Sequence, residues 1–375
     1  MDILNLTKQD GRYLTLYSNT KVDGIDKNFI PSPNKEMINP TPHLRYHPLR
    51  GEWVAYANHR QNRTFLPPAE YNPLAPTKNK EIPTELPDGT YDVAVFANLF
   101  PSLVPSQVLQ KSTAIPLQIP GMDAGVDIVE ADGVCEVVVF STDAKTNLSL
   151  LPLDHIKLIF KVWGHRYLEI LKINPNIKYI MPFENRGVEM GVTLHHPHGQ
   201  IYAYPFIPPI PARELELQLK YYNEHAGIGL LEQMVKDELS FKKRVVVETD
   251  SALSFVPRCA RYPYEVWSMP KRPVENFNQL TDNELTDLAT TLKSTLLKFD
   301  ALWDRESPYL MVIHQASTDG LPHPEAHLHF EIYPALRTKE KLKYLAGTEL
   351  GAGMFANDCI PEEKAQELRE VKIQL

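Results

Sequence analysis

Two segments of the chain repeat the same order of features at an almost constant separation in sequence. Three pairs of equivalent residues, 129, 130 and 131 positions apart, carry this repeat: Glu136/Glu265, Tyr179/Tyr309 and His198/His329. So steady an offset indicates an internal duplication. Duplication constrains the fold strongly, because both copies must then fold as the same supersecondary unit.

Each copy reads as a strand, a helix and two further strands. In the first copy these features fall at residues 136–140, 153–170, 179–185 and 196–204. In the second copy the helix begins with Thr281 and Glu284, the two ends of a capping box. The pattern predicts an α+β fold of duplicated units, with antiparallel sheets and helices packed on one side. The two copies could form one extended sheet or pack separately.

The last strand of the first copy carries a dense histidine cluster. Side chains two apart share a face of a strand, so His196, His198 and Gln200 should project together. Gly199 between them would let a ligand approach the backbone closely. Neutral imidazole is a nucleophile, and an amide can donate hydrogen bonds to a phosphoryl oxygen. The pattern favours phosphoryl chemistry, and the alternative is a metal-binding or merely exposed histidine cluster.

The strand also carries a resemblance to a known family. Its first five residues, His196-Pro197-His198-Gly199-Gln200, resemble the active-site signature of the galactose-1-phosphate uridylyltransferases, a branch of the histidine-triad superfamily. The resemblance runs from about Arg45 to Gly353. It implies two histidine-triad-like halves in one subunit. Residues 1–210 would hold the nucleophile, and residues 211–375 a structural metal site and a sugar-binding loop.

The resemblance also implies a reaction. His198 would attack the α-phosphorus of UDP-glucose, release glucose 1-phosphate and carry a uridylyl group to galactose 1-phosphate, a double displacement in galactose metabolism. Gln200 would act with it as a catalytic residue. Rival hypotheses are a related nucleotidyl phosphorylase acting on ADP-glucose, a dinucleoside hydrolase of the same superfamily, and a nucleotide sensor without turnover.

Further site residues follow from the same resemblance. Those implied for substrate binding are Arg60 and Arg63 at the phosphates, Asn98, Phe100 and Asn185 at the uridine, His196, and Lys343 and Glu349 at the hexose phosphate. Guanidinium groups suit phosphate because they fork onto its oxygens. For Asn98 and Phe100 an ordinary strand end with a turn is an equal alternative. The Lys343 segment would come from the partner subunit, which implies a homodimer with shared active sites.

The family's zinc site is expected to be missing. Residues 71–76 replace its Cys-x-x-Cys, and Ala144 replaces a histidine ligand, so only His196 of that set remains. One histidine cannot hold structural zinc. We therefore predict no zinc at this place.

The second copy is predicted to have taken another task. Phe330 and Glu331 stand where the first copy has glycine and glutamine, so they should block and repel a phosphate. One structural Zn²⁺ or Fe²⁺ is expected here instead. Its expected ligands are His314, His327 and His329, and the resemblance implies Glu214 as the fourth. The alternative is a hydrogen-bonded histidine pair without metal.

Composition limits the classes of partner. The net charge of −8 makes a nucleic-acid surface an unlikely feature, and the apolar and charged fractions of 43% and 23% are those of soluble globular proteins. Neither a signal peptide nor a run of transmembrane length stands out, so no membrane association is expected. The three cysteines are too few and too far apart for a disulfide framework. A cytoplasmic location is expected.

Overall fold

A computed structural model describes residues 1–34, 40–62, 67, 71–106 and 127–375. The strands in these ranges are β1 (Asp2–Thr7), β2 (Tyr13–Ser18), β3 (His43–His47), β4 (Glu52–Tyr56), β5 (Val93–Ala97), β6 (Ile128–Glu130), β7 (Val134–Val139), β8 (Tyr179–Arg186), β9 (His198–Tyr204), β10 (Val245–Glu248), β11 (Ala252–Phe255), β12 (Val266–Pro270), β13 (Tyr309–His314), β14 (His329–Pro334), β15 (Leu336–Thr338) and β16 (Lys341–Leu342). The α-helices are α1 (Leu153–Ile173), α2 (Pro209–Glu224), α3 (Leu230–Phe241), α4 (Asp282–Leu302) and α5 (Pro361–Glu370).

One antiparallel sheet of eleven strands joins the two copies, in the order β1-β2-β5-β7-β9-β8-β13-β14-β12-β11-β10. The order is symmetric about its middle, where β7-β9-β8 of the first copy meets β13-β14-β12 of the second. At this seam β8 and β13 pair antiparallel, with Tyr309 opposite Arg186 and Val312 opposite Phe183. The Tyr309 hydroxyl also donates a 2.8 Å hydrogen bond to the buried Glu184 carboxylate. The copies therefore form one extended sheet, the first of the two arrangements left open by the sequence.

The helices of the two units lie side by side on one face of this sheet. Both α1 and α4 span 21 residues, and their apolar faces share a core with the strands below. The predicted capping box is confirmed. The Thr281 side chain accepts a hydrogen bond from the backbone amide of Glu284, and the Glu284 carboxylate accepts one from the backbone amide of Thr281. On the opposite face, α3 packs Leu231 and Val235 against β10–β12. The α+β class with its large antiparallel sheet is thus confirmed.

Gly199 and Phe330 occupy equivalent positions and both face the helix layer. A Cβ on Gly199 would lie 2.7 Å from Cζ of Phe140 and 2.8 Å from the Phe183 carbonyl oxygen. Phe330 is fully buried, with its ring 6.2 Å from that of Trp163 on α1. The prediction that Phe330 blocks a ligand is therefore wrong, because its ring packs in the helix layer. The backbone of Gly199 lines a small cavity beside His198, so its close approach to a ligand stays a prediction. The strand pleat turns both positions away from the histidine face.

Smaller elements surround the main sheet. The three-stranded sheet β4-β3-β6 leads into a short 3₁₀ helix, Asn58–Asn62, which carries Arg60. The predicted boundary after residue 210 falls within the first turn of α2, and the division into two halves stays a prediction. None of the helices in the described part of the chain is long and apolar enough to cross a lipid bilayer.

Replacing Gly199 by alanine should destabilise the fold. The added methyl group would overlap Phe140 and a backbone oxygen, and overpacking of this kind costs about 1–3 kcal/mol. Chemical denaturation would measure the change in the free energy of unfolding. Gly347→Ala is the matched control, because φ there is −62° and a Cβ would meet nothing within 4 Å. Equal stability of the two variants would contradict the packing argument.

Candidate active site

His198 begins β9 and is held in one orientation and one tautomer. Its ring Nδ1–H donates a 2.7 Å hydrogen bond to the backbone carbonyl of His196. The lone pair is therefore left on Nε2. Burial lowers the pKa of the His198 ring below its usual value, so the ring is neutral at pH 7. Neutral imidazole with a free Nε2 is the nucleophilic form.

His196 supplies that carbonyl and is itself fixed at both ring nitrogens. Its Nε2–H donates to the Ser141 carbonyl at 2.7 Å, and its Nδ1 accepts a hydrogen bond from the Asn72 side-chain amide at 2.9 Å. The Asn72 side-chain oxygen accepts from the Leu74 backbone amide at 3.0 Å, which assigns the amide orientation. The group that orients the nucleophile is therefore the His196 carbonyl.

A cavity of about 360 Å³ opens on one side of His198. Its lining includes Asn98, Phe100, Gln200 and Arg60, so the structure brings these predicted residues together. The Asn98 side chain accepts from the Phe100 amide at 2.9 Å and donates to the Gln200 oxygen at 3.4 Å. Arg60 donates to the Phe100 carbonyl at 2.8 Å. Amide and guanidinium donors thus line this cavity beside the free imidazole nitrogen.

A second cavity, of about 470 Å³, opens on another side of His198. Asn185 and His196 line it, as do Glu189 and, from the second copy, Arg305. Arg305 and Glu189 form an ion pair at 2.9 Å. Sequence reasoning missed this pair, because no motif marks the loop after α4. Only the pairing of β8 with β13 brings that loop to the first copy.

Two of the predicted residues are not in these cavities. Lys343 and Glu349 pair with each other at 3.0 Å, and neither is among the described residues that line a cavity beside His198. A third predicted residue, Arg63, lies outside the described residues. The hydrogen bond from Lys343 lowers the pKa of Glu349 to about 2, so this carboxylate is ionised at pH 7.

Comparison with known proteins places this geometry in a family. Residues 33–208 match the N-terminal domain, and residues 214–374 the C-terminal domain, of galactose-1-phosphate uridyl transferase. The chain belongs to the galactose-1-phosphate uridylyltransferase family. The resemblance stated from the histidine motif is therefore confirmed.

Relatives and solved structures within the family agree. The chain is similar to the galactose-1-phosphate uridylyltransferase of Thermotoga maritima, with 36% identity over 88% of this chain and 99% of that protein. The Haemophilus influenzae protein is 33% identical over 89% of this chain and 96% of that protein. A solved uridylyltransferase structure superposes with a TM-score of 0.73 at 32% identity, over 88% and 98% of the chains. The structure of an ADP-glucose phosphorylase from Arabidopsis thaliana superposes with a TM-score of 0.64 at 25% identity, over 89% of this chain and 100% of that chain.

In the second half of the chain, two carboxylates and one imidazole lie close together. Glu214, His314 and Glu331 each place one possible ligand atom within 4.8 Å of the others. Nδ1 of His314 lies 3.1 Å from a Glu214 oxygen, and Nε2 lies 3.8 Å from a Glu331 oxygen. Burial, followed by the charge of Glu331, raises the pKa of Glu214 to about 8. Burial lowers the pKa of His314 to about 3, so the ring is neutral and able to bind a cation.

His327 and His329 lie in the wall around this group rather than within it. Nδ1–H of His329 donates to the His327 carbonyl at 2.7 Å, and Nε2–H of His327 donates to the Pro270 carbonyl at 2.9 Å. Both rings line a small cavity together with Glu214. Nδ1 of His327 is buried and has no hydrogen-bond partner among the described residues. An unpaired ring nitrogen and a carboxylate with a raised pKa line the same small cavity, and this combination fits a divalent cation.

Glu331 corrects the predicted ligand set. It was assigned only the task of repelling phosphate, yet it joins Glu214 and His314 in the tight group. The reason is the period of the strand: Glu331 follows His329 by two residues on β14 and so shares its face. That spacing was visible in the sequence.

Removal of a bound metal should lower Tm, and by more at higher pH. Without a cation the folded protein holds the Glu214 proton up to about pH 8, whereas the unfolded chain releases it near the ordinary value of 4.5. The folded state then binds more protons, so its stability falls as the pH rises through this window. A cation replaces that proton and abolishes the loss.

Thermal denaturation with and without EDTA, from about pH 5 to about pH 8, would test this. We expect the EDTA-induced fall in Tm to grow with pH. In Glu214→Gln the pH-dependent part should disappear. A Tm that EDTA leaves unchanged throughout would mean that these residues form a hydrogen-bonded cluster without metal.

Proposed function

We propose that this protein exchanges UMP between UDP-glucose and galactose 1-phosphate through a covalent uridylyl group on His198. One observation carries the proposal: Nδ1–H of His198 is tied to the His196 carbonyl, which leaves the Nε2 lone pair without a hydrogen bond from the described residues, and His198 lines the cavities described above. The printed names of the relatives, several of them over 30% identical, support the substrates.

In the first step Nε2 of His198 attacks the α-phosphorus of UDP-glucose. The bond from phosphorus to the bridging oxygen breaks, and glucose 1-phosphate leaves with that electron pair. Gln200 and Arg60, which line the same cavity, stabilise charge on the non-bridging oxygens, and Arg63 is expected to join them. The imidazole becomes a cation, which its Nδ1–H bond to the His196 carbonyl stabilises.

In the second step a phosphate oxygen of galactose 1-phosphate attacks the same phosphorus, and Nε2 of His198 leaves as neutral imidazole. The uridine lies against Asn98 and Phe100, with Asn185 across His198. Catalysis of this kind rests on positioning and charge stabilisation rather than on an acid or base. The chain's own donors supply both.

The remaining assignments belong to the same proposal. A homodimer brings Lys343 and Glu349 of one subunit to the hexose phosphate bound by the other, since neither lines the described cavities of its own subunit. One structural zinc or iron ion per subunit lies in the second half, held by the Glu214 and His314 group with His327 beside it. The three cysteines are unpaired, which supports a reducing compartment such as the cytoplasm.

Incubation with UDP-glucose alone should leave one uridylyl group on the protein and release glucose 1-phosphate. Intact-mass measurement should show the adduct in wild type and not in His198→Asn. His225→Asn is the control, since that ring lies at the end of α2, stacked on Tyr221. An adduct retained by His198→Asn would refute the assignment of the nucleophile. Adduct formation from ADP-glucose in place of UDP-glucose would favour the phosphorylase hypothesis.

Gln200→Ala should lower kcat far more than it raises KM. Loss of one preorganised donor to a developing charge costs about 10²–10³ in turnover. Steady-state kinetics with UDP-glucose and galactose 1-phosphate would measure both constants, with the surface variant Gln233→Ala as control. An unchanged kcat with a raised KM would show that Gln200 only holds the ground state.

A further inference from the structure

The two copies share the hydrogen bonds of their histidine pairs but differ at one ring nitrogen. In both, the second histidine donates from Nδ1 to the carbonyl of the first, and the first donates from Nε2 to a backbone carbonyl. In the second copy Nδ1 of His327 is buried and unpaired. In the first copy Nδ1 of His196 is taken by the Asn72 amide at 2.9 Å.

This difference decides where a metal fits. A metal at His196 would need Nδ1, because Nε2 carries the proton that bonds to the Ser141 carbonyl. The side-chain NH₂ of Asn72 already donates a hydrogen bond to this nitrogen. The Asn72 side-chain oxygen accepts from the Leu74 backbone amide, so the NH₂ group is the end that faces His196. Ala144, which replaces the family's histidine, offers no ligand atom. The first-half residues therefore do not fit a metal.

We propose that Asn72 is a positioning residue for His198, and that its hydrogen bond fills the ring nitrogen of His196 whose counterpart on His327 is left open to a metal. The inference rests on the proposed role of His198 as nucleophile. Asn72 and the Ser141 carbonyl hold the His196 ring from opposite nitrogens, so the ring cannot rotate. Because the His196 ring is fixed, the backbone carbonyl of His196 is fixed as well, and this carbonyl orients His198.

The contact is long-range in sequence and fixed locally. Asn72 and His196 are 124 residues apart, and the amide lies in a turn closed by its own side chain. Removing the amide would leave a buried acceptor unpaired and free the ring to tilt about its remaining bond. The His196 carbonyl, and with it Nε2 of His198, would then sample wrong orientations, which costs reaction rate more than substrate affinity.

The rate of uridylylation in a single turnover, with excess UDP-glucose, measures the effect directly. Asn72→Ala should react about 10–100-fold more slowly than wild type, the range typical of partners that orient a reacting or metal-binding side chain. KM should change little. Asn174→Ala is the matched control, because Asn174 likewise accepts from the amide two residues on and donates to a side chain, that of Asp132. It should lose stability without losing rate in the folded fraction.

Asn72→Asp separates positioning from mere structure. This isosteric variant keeps the acceptor for Leu74 but presents an oxygen to His196, so the contact forms only when both ring nitrogens carry protons. The carboxylate raises the pKa of His196, and the contact exists below that pKa and is lost above it. The rate of Asn72→Asp relative to wild type should therefore rise as the pH falls from about 8 to about 6.

The outcomes distinguish the two proposals. A slow Asn72→Ala, a normal Asn174→Ala and a pH-dependent Asn72→Asp support the inference. Asn72→Ala within about twofold of wild type, equal slowing of both alanine variants, or an unshifted pH profile of Asn72→Asp would overturn it. If Asn72→Ala does not fold, the pH profile of Asn72→Asp decides alone. A wild type that forms no adduct on His198 would instead refute the proposed function.

Discussion

The antiparallel pairing of β8 with β13 is the contact on which the other features depend. It turns two duplicated units into one sheet, and it is reinforced by the buried hydrogen bond from Tyr309 to Glu184. β8 ends at Arg186, opposite Tyr309, so the loop before β13 lies beside the loop that leads to His198. The 470 Å³ cavity with Arg305 exists because of this adjacency. A pair of separately packed units would leave His198 with walls from one copy only.

Divergence after the duplication left the hydrogen-bond framework of the two histidine pairs intact. The bond from the second histidine to the carbonyl of the first is 2.7 Å long in both copies. What changed is the partner of the first histidine and the residue two positions after the second, Gln200 in one copy and Glu331 in the other. A neutral donor suits a site for phosphoryl oxygens, and a carboxylate suits a cation. One scaffold thus carries two electrostatically opposite sites on the same face of the sheet.

Much of the site could be predicted from local periodicity. The alternation of a strand places His198 with Gln200, and the same rule would have placed Glu331 with His329. The error over Phe330 has the same origin. Gly199 and Phe330 stand between the histidine-face residues, so the pleat turns a side chain at either position into the helix layer, where Phe140 and Trp163 decide what fits. Packing there requires the glycine, whose backbone also lines a small cavity beside His198.

The sequence by itself determined the duplicated α+β units, the capped helix at Thr281 and the histidine motif, because each depends on residues a few positions apart. Only the tertiary structure decided that the units share one sheet, that Arg305 lines a cavity with Asn185, and that Asn72 holds His196. These contacts join residues more than a hundred positions apart. No periodic pattern records which distant backbone groups will pair, since that choice depends on burying both units' apolar faces together.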